Sequence, residues 1–329
     1  MSADSILEVR DLNLTLPTAT GPVTILDDVN FTLRRGETLG VVGESGSGKS
    51  MTALSIMGLA GRSRGQRISG SIRFGERELL DLSARGLRRM RGSSISMIFQ
   101  EPMTSLDPSF TIGTQIIDGI RAHRGTSRAD AKRRAIEVLD LVRIPNARAR
   151  LTSYPHEFSG GMRQRVLIAM ALANSPDILI ADEPTTALDV SIQAQILDLL
   201  KSLQRELGLS VLFITHNMGV VAELCDRVAV MYSGQVVEHG TAVEVFAQPR
   251  HPYTRGLLAA MPRVDRAHEL SWVKGAPPDP HRRPPGCFFA PRCELHVPAC
   301  DTPPPLIDLG PGRSARCIRT HELGMETAS

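Results

Sequence analysis

The chain has 329 residues, 42% hydrophobic and 22% charged, with 38 basic side chains against 35 acidic ones. That length predicts a core domain plus a further region, and the composition excludes a chain that is disordered throughout. A net charge of +3 is too small for a dense nucleic-acid-binding face, no run of about 18 apolar residues exists to span a bilayer, and the opening MSADSILEVRDLNL lacks the basic start and apolar stretch of a signal peptide, so a chain that stays in the cytoplasm with reduced thiols is expected.

Within residues 1–100, the runs ILEVRDLNLTL, TILDDVNFTL and SGSIRFG read as strands. ETLGVVG is a buried strand entering a glycine-rich turn, and SMTALSIMGLA follows at helical length. Residues from about 107 to 170 read as mostly helical: IGTQIIDGIRAH places Ile116, Ile117 and Ile120, and RADAKRRAIEVLDLV places Ala131, Ala135, Val138, Leu139 and Val142 at helical spacing, with Ser127 as N-cap. DILIAD is a short apolar strand. SIQAQILDLLKSLQREL carries Ile192, Ile196, Leu199, Leu203 and Leu207 on one stripe, and SVLFITH is a further strand. Strands alternating with helices predict a parallel sheet covered on both faces, closed by a hairpin VAVMYSGQVVEHG turned at Ser233 and Gly234. After about residue 245 proline becomes dense and periodicity fades, which predicts a loop-rich appendage in need of a staple.

Gly43, Glu44, Ser45, Gly46, Ser47, Gly48, Lys49 and Ser50 match the phosphate-loop pattern, between a predicted strand and a predicted helix. Glycines let successive N–H groups curl around phosphate oxygens, and a helix beginning near Lys49 aims its positive end at the same anion. Lys49 is expected on the β- and γ-phosphates and Ser50 on Mg²⁺. The strand Ile178 to Ala181 ends in Asp182 and Glu183; the first is placed for the Mg²⁺ shell and the second for the attacking water. His216 follows another strand and is expected at the same edge, near the γ-phosphate.

Phe158, Ser159, Gly160, Gly161, Met162, Arg163 and Gln164 resemble the signature motif of ATP-binding-cassette (ABC) ATPases, usually Leu-Ser-Gly-Gly-Gln. Gln100 sits where that family has its Q-loop glutamine, Ala187, Leu188 and Asp189 match its D-loop, and His216 matches its switch histidine. The resemblance covers about residues 5–250. It implies an α/β nucleotide-binding domain: a RecA-like parallel sheet core (1–100 and 171–245), an N-terminal antiparallel β region and a helical subdomain (101–170). It also implies ATP and Mg²⁺ as cofactors, Glu183, His216 and Gln100 as catalytic residues, Gln100 with Ser50 on Mg²⁺, and ATP sandwiched between one phosphate loop and Ser159, Gly160 and Gly161 of a second ATPase domain, with Asp189 at the same junction. Two departures are Phe158 for leucine and Met162 for glutamine; a third is Leu16 where the family often stacks an aromatic residue on adenine.

The segment Gln248 to Leu258, with His251, Pro252 and Tyr253, resembles one typical of oligopeptide, dipeptide and nickel importer ATPases, as does Phe99 to Pro108. That resemblance implies two permease subunits, a second and paralogous ATPase subunit, an extracytoplasmic substrate-binding protein, and a peripheral place on the cytoplasmic face of the plasma membrane. An importer of nickel or another small solute is the alternative within the class; a soluble ABC ATPase of translation or DNA repair is the alternative outside it. Cys287, Cys293, Cys300 and Cys317, separated by five, six and sixteen residues, read as a metal site in the 246–329 appendage. Four thiolates suit zinc or a cubane cluster, with zinc slightly favoured by chemistry alone. The family resemblance implies a four-iron–four-sulfur cluster. Cys225 reads as a buried inert thiol, and Trp272, the one tryptophan, carries no functional signal.

Overall fold

The computed structural model describes residues 4–100, 105–186, 188–261 and 273–325. The chain divides into two compact units, residues 1–81 with 215–329, and residues 82–214. Glu101 to Thr104, Ala187 and Trp272 lie outside the described residues.

In the first unit, Ser5–Thr18, Gly21–Arg34, Arg67–Phe74 and Arg77–Glu78 form an antiparallel sheet. Alternation drives it: Leu7, Val9, Leu12 and Leu14 face Leu26, Val29, Phe31 and Leu33, all buried. The two long strands are bent where Asp11 and Asp28 take positive φ (47° and 52°). Each of these N–H groups is satisfied from across the pair, Asp11 N donating to Asn30 Oδ1 (2.9 Å) and Asp28 N to Asn13 Oδ1 (3.2 Å).

A second set of strands lies side by side in the order Ile307–Gly310, Arg313–Ala315, Gln235–Thr241, Arg227–Tyr232 and Thr38–Val42. Thr38–Val42 and Arg227–Tyr232 run parallel. The predicted hairpin forms, with Ser233 (φ 46°) and Gly234 (φ 87°) at its turn. The region expected as an appendage from residue 246 is continuous with this unit. Its strand Arg313–Ala315 pairs with Gln235–Thr241, and Arg316 forms an ion pair with Asp28 (2.6 Å). The helix after the glycine-rich turn, Lys49–Ile56, is shorter than expected, because Gly58 and Gly61 adopt positive φ (61° and 82°).

In the second unit, Ile95–Ile98, Ile178–Asp182 and Ser210–Thr215 form a parallel ladder of buried residues. The helices Ile112–Arg124, Arg128–Leu141 and Gly160–Leu172 accompany it. Ser127 caps the second, its side chain accepting from Asp130 N (3.1 Å). The helix Val190–Leu207 buries Ile196, Leu199 and Leu203 as expected, but also Leu197 and Leu200, while the last residue of the predicted stripe, Leu207, is 50% exposed. Among the described residues no helix is long and apolar enough to cross a membrane.

Candidate functional site

In the first unit the strand Thr38–Val42 ends at Gly43, and the loop 43–48 leads into the helix Lys49–Ile56. Gly43, Gly46 and Gly48 have φ of 155°, 79° and 102°. Gly43 is required by close approach as well: a Cβ there would meet Met231 O at 2.1 Å and Ser47 Oγ at 2.8 Å. Ser47 N donates to Glu44 O (3.2 Å), and Gly234 N donates to Ser47 O (2.9 Å), so the hairpin turn braces the loop. Lys49 is 5% exposed, and its Nζ donates to Gly43 O (2.8 Å) and Glu44 O (3.0 Å). Its aliphatic stem is thus enclosed while its ammonium stays inside the loop, where a phosphate oxygen can compete for it. Ser45 and Gly46 are exposed at the rim and Ser50 is half-buried on the first helical turn.

Glu44 was not signalled by the phosphate-loop pattern, which leaves its position open to any residue type. Its N–H donates to Tyr253 Oη (2.8 Å), and its carboxylate receives both arms of Arg292 (2.9 and 3.0 Å). Tyr253 and Arg292 are respectively 209 and 248 residues away in sequence. His216 lies just past the end of Ser210–Thr215 and is exposed; next to it, Asn217 caps the helix Met218–Leu224 by accepting from Gly219 N (2.9 Å). Leu16 is half-buried in Ser5–Thr18, opposite Val23.

In the second unit Asp182 and Glu183 stand at the end of Ile178–Asp182, both buried. Glu183 adopts φ 47°, a left-handed conformation that a non-glycine residue takes at a cost of about 1–3 kcal/mol. The strand partner enforces it, because Glu183 N donates to Ile214 O (2.9 Å) after the regular ladder has ended at Asp182 and Ile214. Its Oε2 accepts from Thr186 Oγ1 (2.9 Å) and from Gln100 Nε2 (3.4 Å). The structure therefore brings together Gln100 and Glu183, which are 83 residues apart. Thr186 was missed because a threonine two residues beyond a proline reads as turn chemistry.

Ser159 caps the helix Gly160–Leu172, its Oγ accepting from Met162 N (3.4 Å), and Gly160 and Gly161 supply the first-turn N–H groups that have no intrahelical acceptor. Gly161 also admits the neighbouring helix, since a Cβ there would meet Ile192 Cγ2 at 2.6 Å. Phe158 is 2% exposed and keeps the apolar anchor expected of its position. Asp189 caps Val190–Leu207 by accepting from Ile192 N (2.9 Å).

The four C-terminal cysteines carry free thiols and line one small cavity of about 20 Å³, together with Phe289, Leu295, Pro304 and Ile318. Tight turns present them: Cys287 N donates to Cys300 O (2.8 Å), Ala290 N to Cys287 O (3.0 Å) and Cys293 N to Ala290 O (3.2 Å). Burial raises the Cys287 and Cys293 thiols and pushes Cys317 up to about 11. Among the described residues no group of three or more His, Cys, Asp or Glu side chains could hold a metal ion. The same finding corrects the expectation of a preformed metal site, zinc or cluster, at these cysteines, which line one cavity without forming such a site. Cys225 is 8% exposed, and burial raises its thiol far above the ordinary range, in keeping with an inert role.

These geometries coincide with known proteins. Residues 26–186 match the family model for ABC transporters, and residues 237–300 match that of the oligopeptide/dipeptide transporter C-terminal region. A dimeric post-hydrolysis state of the ATP-binding cassette MJ0796 bound to ADP and Pi aligns at TM-score 0.63 and 29% identity, over 72% of this chain and 98% of that one. CbiO1 of Clostridium perfringens, part of the ABC transporter complex cbiONQ, aligns at TM-score 0.64 and 30% identity, over 74% of this chain and 92% of that one. The fold is that of an ABC nucleotide-binding domain. The oligopeptide transport ATP-binding protein OppD of Salmonella typhimurium is 52% identical over 97% of this chain and 95% of its own length, and OppD of Escherichia coli is 50% identical over the same shares. The chain belongs to the oligopeptide/dipeptide transport branch of the ABC ATP-binding family, and it is an ATP-hydrolysing transporter subunit.

Proposed function

We propose that this chain hydrolyses MgATP to drive the import of di- and oligopeptides through a membrane transporter. The observation that carries the enzymatic part is Glu183, held in a left-handed conformation at a strand end with Gln100 and Thr186 on its carboxylate. In this reading the loop 43–48 cradles the phosphates and Lys49 holds the β- and γ-phosphates. Ser50, Gln100 and Asp182 serve Mg²⁺, Glu183 orients or deprotonates the attacking water, and His216 meets the γ-phosphate. Ser159, Gly160 and Gly161 offer helix N-terminal N–H groups to the nucleotide of a second ATPase subunit, with Asp189 beside them. Hydrolysis then parts the two subunits and moves the permeases as rigid bodies.

The peptide part is supported by the match of residues 237–300 to the oligopeptide/dipeptide transporter C-terminal region and by the OppD relatives. Two permease subunits, a paralogous ATPase subunit and an extracytoplasmic substrate-binding protein complete the assembly, which places the chain on the cytoplasmic face of the membrane. In vesicles reconstituted with those partners, peptides loaded on the binding protein should stimulate ATP hydrolysis; stimulation by nickel complexes and not by peptides overturns the substrate class.

The cysteine cavity is read as the seat of a four-iron–four-sulfur cluster held by Cys287, Cys293, Cys300 and Cys317. What supports this is the donor chemistry: four free thiols around one largely apolar cavity. A cluster bound there staples turns that have little core of their own. About four irons per chain, with absorbance near 400 nm after anaerobic purification, are expected; iron-free, colourless protein overturns the assignment.

A further inference from the structure

We propose that Arg292 is a positioning residue for the phosphate loop: the C-terminal region holds the loop in its nucleotide-binding shape by gripping Glu44. The inference rests on the reading that loop 43–50 binds the phosphates of ATP.

Arg292 is fixed on every side. Its side chain is 5% exposed, and Nε donates to Lys274 O (2.9 Å) while Nη2 donates to Val273 O and Gly275 O (both 3.1 Å). Its guanidinium lies 5.7 Å from the centre of the Tyr232 ring and 5.8 Å from that of Phe289. Burial pulls its pKa down, but the hydrogen bonds to Glu44 and Tyr232 outweigh that and the net shift is upward. A guanidinium so immobilised gives a bidentate bridge its full directional value, unlike an ordinary surface pair.

Glu44 is the residue through which this rigidity enters the loop. Its carboxylate is held by Arg292 and its N–H by the fully buried Tyr253. Its own carbonyl, together with that of Gly43, accepts from Lys49 Nζ, and the same carbonyl closes the turn to Ser47 N. Pinning Glu44 therefore sets the direction of the groups that hold Lys49 and of the turn that presents the phosphate-facing N–H groups. Preorganisation of this kind raises affinity by sparing the loop an ordering cost on binding.

The test is Mg-ATP binding by calorimetry on the full chain, with KM and kcat for ATP in the assembled transporter. Arg292→Met keeps length and apolar packing but removes the bridge; Glu44→Ala removes it from the loop side. Each should weaken ATP binding about tenfold, seen in the transporter as a raised KM with kcat little changed. Arg292→Lys, with charge but no fork, should recover part of the loss. The double variant Glu44→Ala with Arg292→Met should bind no worse than either single variant. Unchanged affinity in Glu44→Ala, or losses that multiply in the double variant, overturns the proposal. If Arg292→Met loses cooperative melting, Glu44→Ala alone decides. Lys49→Ala separates the two readings: if it binds ATP as tightly as the parent, the phosphate-loop reading itself has failed, whereas abolished binding beside unaffected Glu44→Ala removes only the tether.

Discussion

The phosphate loop and the cysteine turns lie in the same compact unit, and both are short irregular segments, yet they are built on opposite principles. The loop at 43–50 presents mainly backbone, and its shape follows from glycines with positive φ and from the neighbouring strand Arg227–Tyr232, whose Met231 carbonyl admits no Cβ at Gly43. The turns at 287–317 present side chains, four thiols gathered from positions that no regular element aligns. A site made of backbone is encoded by consecutive residues and can be read locally. A site made of dispersed side chains depends on how distant turns close. The carboxylate pair at Asp182 and Glu183 combines the two, with a local strand end that sets the backbone and a distant Gln100 that completes the side-chain contacts.

This contrast predicts where substitutions hurt most. The largest effect belongs to Glu183→Gln, which keeps the shape of the side chain and removes its basicity. ATP turnover should fall by about 10²–10⁴-fold while ATP binding survives, and robust hydrolysis in the assembled transporter would contradict the role given to Glu183. Next comes Lys49→Ala, the side chain expected to meet the phosphates directly. Loss of charge-assisted bonds worth about 2–3 kcal/mol weakens ATP binding about 30–150-fold in calorimetry.

The cysteine turns should behave otherwise. If the cavity seats the proposed cluster, Cys293→Ser removes one of its four ligands and should release the iron from anaerobically purified chain; because Arg292 lies in the same turn, ATP affinity should fall by no more than the about tenfold expected for loss of the Glu44 bridge. Iron content that does not move breaks the ligand assignment.

Smaller effects test the ground between the two regions. Glu238 is buried in the hairpin strand Gln235–Thr241 and accepts from Arg250 N (2.7 Å) and His251 N (2.9 Å), fixing the start of the helix Pro252–Ala259 that carries Tyr253. Burial raises its pKa from 4.5 to about 7. The folded chain therefore holds this proton more tightly than the unfolded chain. The stabilisation is fully present below about pH 4.5 and is lost as pH rises through about 7, a change of about 3 kcal/mol. Glu238→Gln should accordingly cost more stability at pH 5 than at pH 8, in denaturant melts of both proteins. His251, lowered to about 3 by burial, titrates in the opposite sense and is common to both proteins, so the difference between them isolates Glu238. The smallest effect is expected at a purely local device. Ser127→Ala removes the cap of Arg128–Leu141 and should cost about 1 kcal/mol, a shift of a few degrees in Tm, with ATP affinity unmoved.

Much of the fold was legible because period and punctuation are local. The alternation of Leu7, Val9, Leu12 and Leu14, the cap at Ser127 and the turn at Ser233 and Gly234 each lie within a dozen residues of what they specify. Where reading failed, a neighbour in space had decided. Leu197 and Leu200 are buried and Leu207 is not, because the surroundings of Val190–Leu207 cover a broader and shorter face than its period suggested. The strands Ile307–Gly310 and Arg313–Ala315 were invisible in a proline-rich tail, because a two- or three-rung strand needs an existing sheet edge to pair with.

By itself, then, the sequence determined the phosphate loop, the strand ending in Asp182 and Glu183, the signature helix start at Ser159 and the grouping of four cysteines near the C-terminus. In the first three, the chemistry resides in adjacent residues whose backbone geometry follows from glycine, capping side chains or apolar runs; the cysteines are legible only as a grouping along the chain. Only the tertiary structure decided that Gln100 and Thr186 share the Glu183 carboxylate, that the four thiols line one cavity, and that Tyr253 and Arg292 hold Glu44. Those contacts join residues up to 248 positions apart, and a hydrogen bond of 3 Å has no sequence period to announce it.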